Sequence, residues 1–221
     1  ALDVASSAMD GRLLTRDRAG KVRIWPDAGT APPFVLQAPV GPLLRARLSP
    51  DGQRVLTVDA AGDVSLWRWD GAGDPQVLPR VPAAATEAIW SPDGRWLAVA
   101  SEGPAGVKLW PTDGEGPACD LPRVHMGALA LAWSDDSALL ATGHADGAVQ
   151  IWPVQGGDPV ELLGHRGPVV ALRLEPTTLF SASRDGELRA WPLLGLGAVD
   201  ALAGLQGGAI LGWSADGESL A

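Results

Sequence analysis

The side chains able to do chemistry are few and can be taken one by one. There are three histidines, His125, His144 and His165, and one cysteine, Cys119. A histidine can exchange a proton near neutral pH or hold a metal through a ring nitrogen. A thiol is a nucleophile only where neighbouring positive charge lowers its pKa. Cys119 lies between Ala118 and Asp120 with no cation beside it, so it reads as structural. Asp135-Asp136 has the form of a carboxylate pair, and Asp17, Asp59, Glu102 and Ser183 share one repeat register with His144. There is no Gly-x-Ser-x-Gly elbow, no Gly-x-x-x-x-Gly-Lys phosphate loop and no Cys/His metal cluster. The expected catalytic, metal and cofactor sets are therefore empty.

What must position these residues is a repeat. Five tryptophans close similar segments: Val22-Arg23-Ile24-Trp25, Val64-Ser65-Leu66-Trp67, Val107-Lys108-Leu109-Trp110, Val149-Gln150-Ile151-Trp152 and Leu188-Arg189-Ala190-Trp191. Their spacings are 42, 43, 42 and 39 residues. Gly20, Gly62, Gly147 and Gly186 stand five residues before their tryptophans, and Gly106 four. Upstream lies a second marker: Met9-Asp10-Gly11, Ser49–Gly52, Ser91–Gly94, Ser134–Ser137 and Glu175–Thr178, with a sixth copy at Ser214–Gly217. Asp135-Asp136 falls inside this marker, which makes it a turn filler.

Each unit reads as four short strands. Strand a is an apolar run, as in Ala128–Trp133 or Val169–Leu174. A Ser-Pro-Asp-Gly turn reverses the chain, Pro fixing φ and Gly accepting a positive one. Strand b follows, as in Trp96–Ser101 or Leu139–Gly143, and a Gly-centred turn leads to strand c with its tryptophan. Strand d is looser, as in Gln76–Pro79 or Val160–Leu163. Continuous apolar runs in a and b suit sheets buried on both faces. A lone four-stranded sheet cannot bury both faces, so about 42 residues per unit predicts stacked blades of a β-propeller.

Composition agrees. The chain has 221 residues, 46% of them hydrophobic and 19% charged, with 28 Gly and 19 Pro, too many for long helices. A net charge of −9 argues against a nucleic-acid partner, which needs clustered Lys and Arg. No stretch approaches the roughly 20 apolar residues that span a bilayer, so no membrane insertion is expected. One cysteine forms no internal disulfide and demands no oxidising compartment, so the expected location is cytoplasmic. Arg outnumbers Lys 15 to 2, Asn and Tyr are absent, and the pattern points to a GC-rich, bacterial genome.

On these residues the chain resembles the WD-repeat (WD40) β-propeller family over essentially its whole length. The resemblance implies a structural tetrad in which a histidine links the Asp of the b–c turn to a hydroxyl of strand b and the Trp of strand c. His165, Ser181, Asp185 and Trp191 fit it, as do His125, Thr142, Asp146 and Trp152. Both hydroxyls stand ten residues before Trp and both aspartates six. The other units depart from the pattern. Val40 and Pro82 stand where His would, and Ala19, Ala61 and Pro104 where Asp would, so packing alone is expected to hold those blades.

The resemblance also implies a scaffold that binds a protein or peptide, often attached in bacteria to kinase, peptidase or NTPase modules. A ring of Asp17, Asp59, Glu102, His144 and Ser183 at the b–c turns is the expected binding rim, suited to a basic peptide. Trp69 and Trp96 lie outside the tryptophan register and are expected to be exposed anchors. Trp90, Trp133 and Trp213 recur at the end of strand a and read as core. Two other classes compete. A TolB-like or prolyl-oligopeptidase-type propeller, enzyme-linked or periplasmic, also carries Ser-Pro-Asp-Gly turns. A lactonase-like catalytic propeller would need acidic metal ligands, for which the rim acids are the only candidates.

The expected organisation is all-β, with five full antiparallel blades at about 1–40, 41–82, 83–124, 125–164 and 165–206. A partial sixth at 207–221 supplies Ala209–Trp213 as its strand a. A seven-bladed ring at this period takes about 294 residues, so the chain is expected to be part of such a ring rather than all of it.

Overall fold

Alternating apolar residues and turn markers produce antiparallel sheets in a computed structural model that describes residues 3–6, 11–17, 19–26, 32–36, 43–59, 61–78, 85–101, 106–113, 118–121, 127–193 and 209–210. The first sheet joins β1 (Asp3–Ser6), β2 (Leu13–Arg16), β3 (Val22–Trp25) and β4 (Phe34–Val35). The second joins β5 (Leu43–Leu48), β6 (Arg54–Asp59), β7 (Val64–Arg68) and β8 (Gln76–Val77). The third is β9 (Ala85–Trp90), β10 (Trp96–Ser101), β11 (Val107–Pro111) and β12 (Cys119–Asp120). The fourth is β13 (Ala128–Trp133), β14 (Leu139–His144), β15 (Val149–Pro153) and β16 (Val160–Leu162). The fifth is β17 (Val169–Leu174), β18 (Thr178–Ser183), β19 (Leu188–Pro192) and β20 (Ala209–Ile210). Every sheet is a four-stranded meander in sequence order, an all-β arrangement consistent with propeller blades.

Two compact units divide the chain, Ala1–Ser101 with Lys108–Asp120, and Glu102–Val107 with Leu121–Ala221. In the first unit, Leu14, Val22, Ile24 and Leu36 of the first sheet pack on Ala46, Leu48, Val55 and Trp67 of the second. The opposite face of the second sheet, Leu56, Val58, Val64 and Leu66, packs on Ala88, Trp90, Leu97 and Val99 of the third. In the second unit, Ala141, Val149, Ile151 and Leu162 of the fourth sheet meet Val169, Leu174, Leu179 and Trp191 of the fifth. Alternation decides this, because residues two apart on a strand share a face and each inner strand has two faces to bury.

The turns show why the markers recur. In the a–b turn of the second sheet, Ser49 Oγ donates to Asp51 Oδ1 at 2.5 Å and accepts Arg54 N–H at 2.9 Å. Ser91 with Asp93 and Ser134 with Asp136 repeat this at 2.6 Å each. Asp136 also accepts Ala138 N–H, and the Ser134 hydroxyl is the first of the bonds that hold its carboxyl below the usual range. Gly52 and Gly94 complete their turns at φ of 69° and 72°. Ser137 does the same at 60° without being glycine. In sheets two to five the register slips by one residue near the start of strand a, a bulge at Leu43/Arg45, Ala100/Ser101, Ala128/Ala130 and Val169/Ala171.

One strand differs from its expected place. The repeat places Ala209–Ile210 in strand a of a sixth unit, whereas in the structure it pairs with Arg189 and Ala190 as the outer strand of the fifth sheet. The physical reason is that β19 has an open edge whose backbone groups need partners. The Trp213 assignment to core lies outside the described residues. No helix among the described residues is long and apolar enough to cross a membrane.

Candidate functional site

The b–c hairpins and the strands beside them carry a second set of polar residues that the repeat aligns, apart from the Ser–Asp pairs of the a–b turns. Each described hairpin turns on a glycine of positive φ: Gly20 at 82°, Gly62 at 81°, Gly147 at 91° and Gly186 at 88°. A three-residue loop that ends in a left-handed residue needs this conformation, which side chains other than glycine's strain to adopt. Its N–H donates to the carbonyl three residues back, at 3.0 Å for Gly20 to Asp17 and 3.1 Å for Gly186 to Ser183.

In the fifth sheet the hairpin is tied to the loop that enters it. His165 Nε2 lies 2.7 Å from Ser181 Oγ, and His165 Nδ1 lies 3.3 Å from Asp185 Oδ2. Trp191 Nε1–H donates to the same Ser181 oxygen at 2.8 Å. For a neutral ring one arrangement satisfies all three: Nδ1–H donates to Asp185, and the Ser181 hydroxyl donates to Nε2 while accepting from Trp191. Burial pushes the His165 pKa below its ordinary value, outweighing the Asp185 carboxylate that would raise it. Burial would lift the Asp185 carboxyl, but the N–H groups of Glu187 and Arg166 and the nearby His165 hold it at about 2.

The fourth sheet brings a different histidine to the same place. Trp152 Nε1–H donates to Thr142 Oγ1 at 3.0 Å, and His144 Nε2 lies 2.8 Å from that oxygen. Sequence reasoning gave this contact to His125, which lies outside the described residues. Asp146 accepts Ala148 N–H across the turn.

Two members of the expected rim do not face solvent. His144 is 5% exposed and Ser183 is 8% exposed. Ser183 Oγ donates to Gly167 O at 2.8 Å and accepts Asp185 N–H at 3.2 Å. Both are corrections to the rim, and the cause is strand pleat: each ends strand b on the face that already holds Thr142 or Ser181. Asp17 and Asp59 remain at the hairpin ends, half-buried. Asp17 Oδ1 accepts Ala19 and Lys21 N–H at 3.0 Å, and its Oδ2 pairs with Arg23 at 3.1 Å. The Lys21 N–H is the largest influence on a carboxyl held below its usual range. Asp59 Oδ1 accepts Ala61 and Asp63 N–H at 2.8 and 2.9 Å. Glu102 lies outside the described residues.

Sequence reasoning missed two residues. Trp25 Nε1–H donates to Thr15 Oγ1 at 3.1 Å, and Trp67 Nε1–H to Thr57 Oγ1 at 2.9 Å. The first two sheets therefore do not rest on packing alone. Thr15 and Thr57 stand ten residues before their tryptophans, the same spacing that marked Thr142 and Ser181, and that signal would have found them. Trp69 and Trp96 are half-buried rather than exposed. The Arg12 guanidinium lies 3.9 Å over the Trp69 ring, and Trp69 packs on the core between the first two sheets.

His165, Asp185 and Glu187 each offer a ligand atom within 4.8 Å of the others, a spacing a metal ion could use. Those atoms are committed: His165 and Asp185 to each other, and Glu187 Oε2 to Arg189 at 2.7 Å.

Residues 123–153 match the WD domain, G-beta repeat. This WD repeat spans β13 to β15, with Thr142, His144, Asp146 and Trp152. The human WD repeat-containing protein 97 is 38% identical over 56 residues, which are 24% of this chain and 4% of that protein. The chain thus matches only a small part of that relative's length. Both findings support the WD-repeat family.

Proposed function

We propose that this chain is a non-catalytic protein-interaction module, a WD-repeat β-propeller belonging to a larger signalling or regulatory protein, that binds a protein or peptide through its b–c hairpins. The observation that carries the reading is how the polar groups of those hairpins are used. Asp17, Asp59, Asp146, Ser183 and Asp185 all bond backbone of their own turns, which makes the hairpins rigid platforms. A rigid loop loses little entropy on binding, so it suits recognition. Asp17 and Asp59 add negative charge to two of these ends, and the −9 net charge draws a basic partner. A cytoplasmic location and a GC-rich bacterial source belong to the same reading and rest on the single cysteine and the Arg-rich composition.

The test uses a fluorescein-labelled hexalysine peptide and the double variant Asp17→Asn with Asp59→Asn. Asparagine keeps an oxygen that can accept the two N–H groups but loses the charge, whereas charge reversal would also unmake the turns. Binding should weaken about fivefold with the melting temperature nearly unchanged. Unaltered affinity in this variant removes the hairpin ends from the interface.

A further inference from the structure

At the outer edge of the first unit, two neighbouring sheets leave a gap that their own strands do not fill. β4 and β8 are two residues each. Phe34 pairs with Ile24, and Leu36 bonds the backbone of Val22, so both lie on the face that packs against the second sheet. Opposite them stand Trp67 and Pro75. Between the two sheets is an open cavity of about 360 Å³ lined by Phe34, Leu36, Trp67, Gly71, Asp74 and Pro75. The Phe34 ring lies directly on Gly71, where any Cβ would overlap it, and Gly71 has a φ of 67°. The cavity wall is thus aromatic and set by a position that only glycine fits.

Among the described residues that line the cavity, one is charged. Asp74 is exposed, and its carboxylate has no hydrogen bond or ion pair with any described residue. Its neighbour Asp70 is different, being paired with Arg68 at 2.8 Å and with Ala72 N–H. An apolar slot with an uncommitted carboxylate at its mouth complements a side chain with a hydrocarbon stem and a cationic head. Aromatic ring faces add attraction for the cation. We propose that this cleft receives a lysine or arginine side chain of a partner peptide, its stem against Phe34, Leu36 and Trp67 and its charge on Asp74. This surface is separate from the hairpin ends. It rests on the protein-binding reading only in taking the partner to be a peptide.

The test titrates N-acetyl-lysine methylamide and N-acetyl-arginine methylamide into the full 221-residue chain. The readout is the indole ¹H–¹⁵N signal of Trp67, assigned by comparison with W67F. A saturable shift is expected with both probes, and Asp74→Asn should raise the half-saturation concentration at least about threefold. The uncharged N-acetyl-norleucine methylamide should produce no saturable shift. An equal shift with norleucine, an unchanged half-saturation in Asp74→Asn, or no saturable shift with either cation overturns the proposal. The Asp17→Asn, Asp59→Asn variant should bind both cationic probes normally. Loss of hexalysine binding there with an intact cleft titration, or the reverse, tells the two surfaces apart.

Discussion

In the second sheet Trp67 is held by Thr57, whose hydroxyl turns to the Ser65 carbonyl of the adjacent strand at 3.4 Å; in the fifth, Trp191 is held by Ser181, which bonds His165 from the preceding loop. The indole anchor is the same and the destination of the hydroxyl proton is not. The second sheet uses it within the sheet, and beside its apolar packing the polar links to its neighbours are made by arginines: Arg12 donates to Gly52 O at 2.9 Å, Arg54 bonds Thr112 O, and Arg47 pairs with Glu87 at 3.1 Å. The fifth sheet spends it on a histidine that also reaches Asp185, so an incoming loop and a hairpin are fixed through one buried chain of bonds. A strap of the first kind ties a single pair of groups, exposed at Arg47–Glu87 and part-buried at the other two, while a buried network leaves several groups orphaned when one member is lost.

The largest expected effect follows from that contrast. Ser181→Ala orphans both the Trp191 indole N–H and His165 Nε2, and should cost roughly 2–4 kcal/mol. Thr57→Val orphans mainly the Trp67 N–H and should cost about 1–2 kcal/mol. His165→Ala should fall between them, at about 1–3 kcal/mol. Urea unfolding of the three variants measures this, and equal losses for Ser181→Ala and Thr57→Val would erase the distinction.

Next in size is a pair of glycines with nearly the same backbone. Gly147 and Gly186 have φ of 91° and 88°. A Cβ at Gly147 would come 2.6 Å from the His165 carbonyl oxygen, whereas at Gly186 it would meet open space. Gly186→Ala should therefore cost only the left-handed strain, about 1–2 kcal/mol. Gly147→Ala adds a backbone clash with the loop carrying His165, and should cost about 1–3 kcal/mol more. If the two variants unfold at the same denaturant concentration, the packing of the fourth hairpin on that loop is not what it is drawn to be.

These cases also mark what was legible in the sequence. Strand a at Ala128–Trp133 and Val169–Leu174 and strand b at Trp96–Ser101 could be read to the residue, because turn markers bracket them on one side and apolar runs fill them. Strand d was harder: β16 stops at Leu162, and β20 comes from a segment assigned to another unit, since outer strands have one partner and little pattern. Side-chain partners were partly legible. The ten-residue spacing marks the hydroxyl that meets each tryptophan, as at Thr15, Thr57, Thr142 and Ser181. Spacing could not say that His144 reaches Thr142 from two residues away on the same strand, because that depends on rotamer and on which face is covered.

Acidification should separate the two kinds of anchor. His165 has a pKa lowered from 6.5, so as pH falls the unfolded chain takes up this proton before the folded one does. Its contribution is full above about pH 6.5 and is lost as pH falls through the lower folded value. Asp185 is held at about 2 against 3.8, so its contribution is full above about pH 4 and goes only toward pH 2. Between pH 7 and 5, then, His165 and not Asp185 governs this network. Urea midpoints should fall across that interval, and His165→Gln should show a shallower fall. A wild-type midpoint that stays level or rises on acidification would contradict the sign.

The smallest effect concerns the other side of the comparison. Arg12 lies over Trp69 at 3.9 Å and donates to Gly52 O, joining the first sheet to the a–b turn of the second. Lysine keeps the charge and most of the stem, but it lacks the planar face that lies on an indole and the fork that reaches a carbonyl at the same time. Arg12→Lys should therefore cost about 0.5–1 kcal/mol. Raising the salt should change that cost little, because stacking and a hydrogen bond to a carbonyl depend less on screening than an ion pair does. Arg47→Lys, at the exposed Arg47–Glu87 pair, is the control. It should cost less than Arg12→Lys at low salt, and its cost should vanish at high salt. A strongly salt-dependent Arg12 would show that its field, rather than its contact with Trp69 and Gly52, is what joins the two sheets.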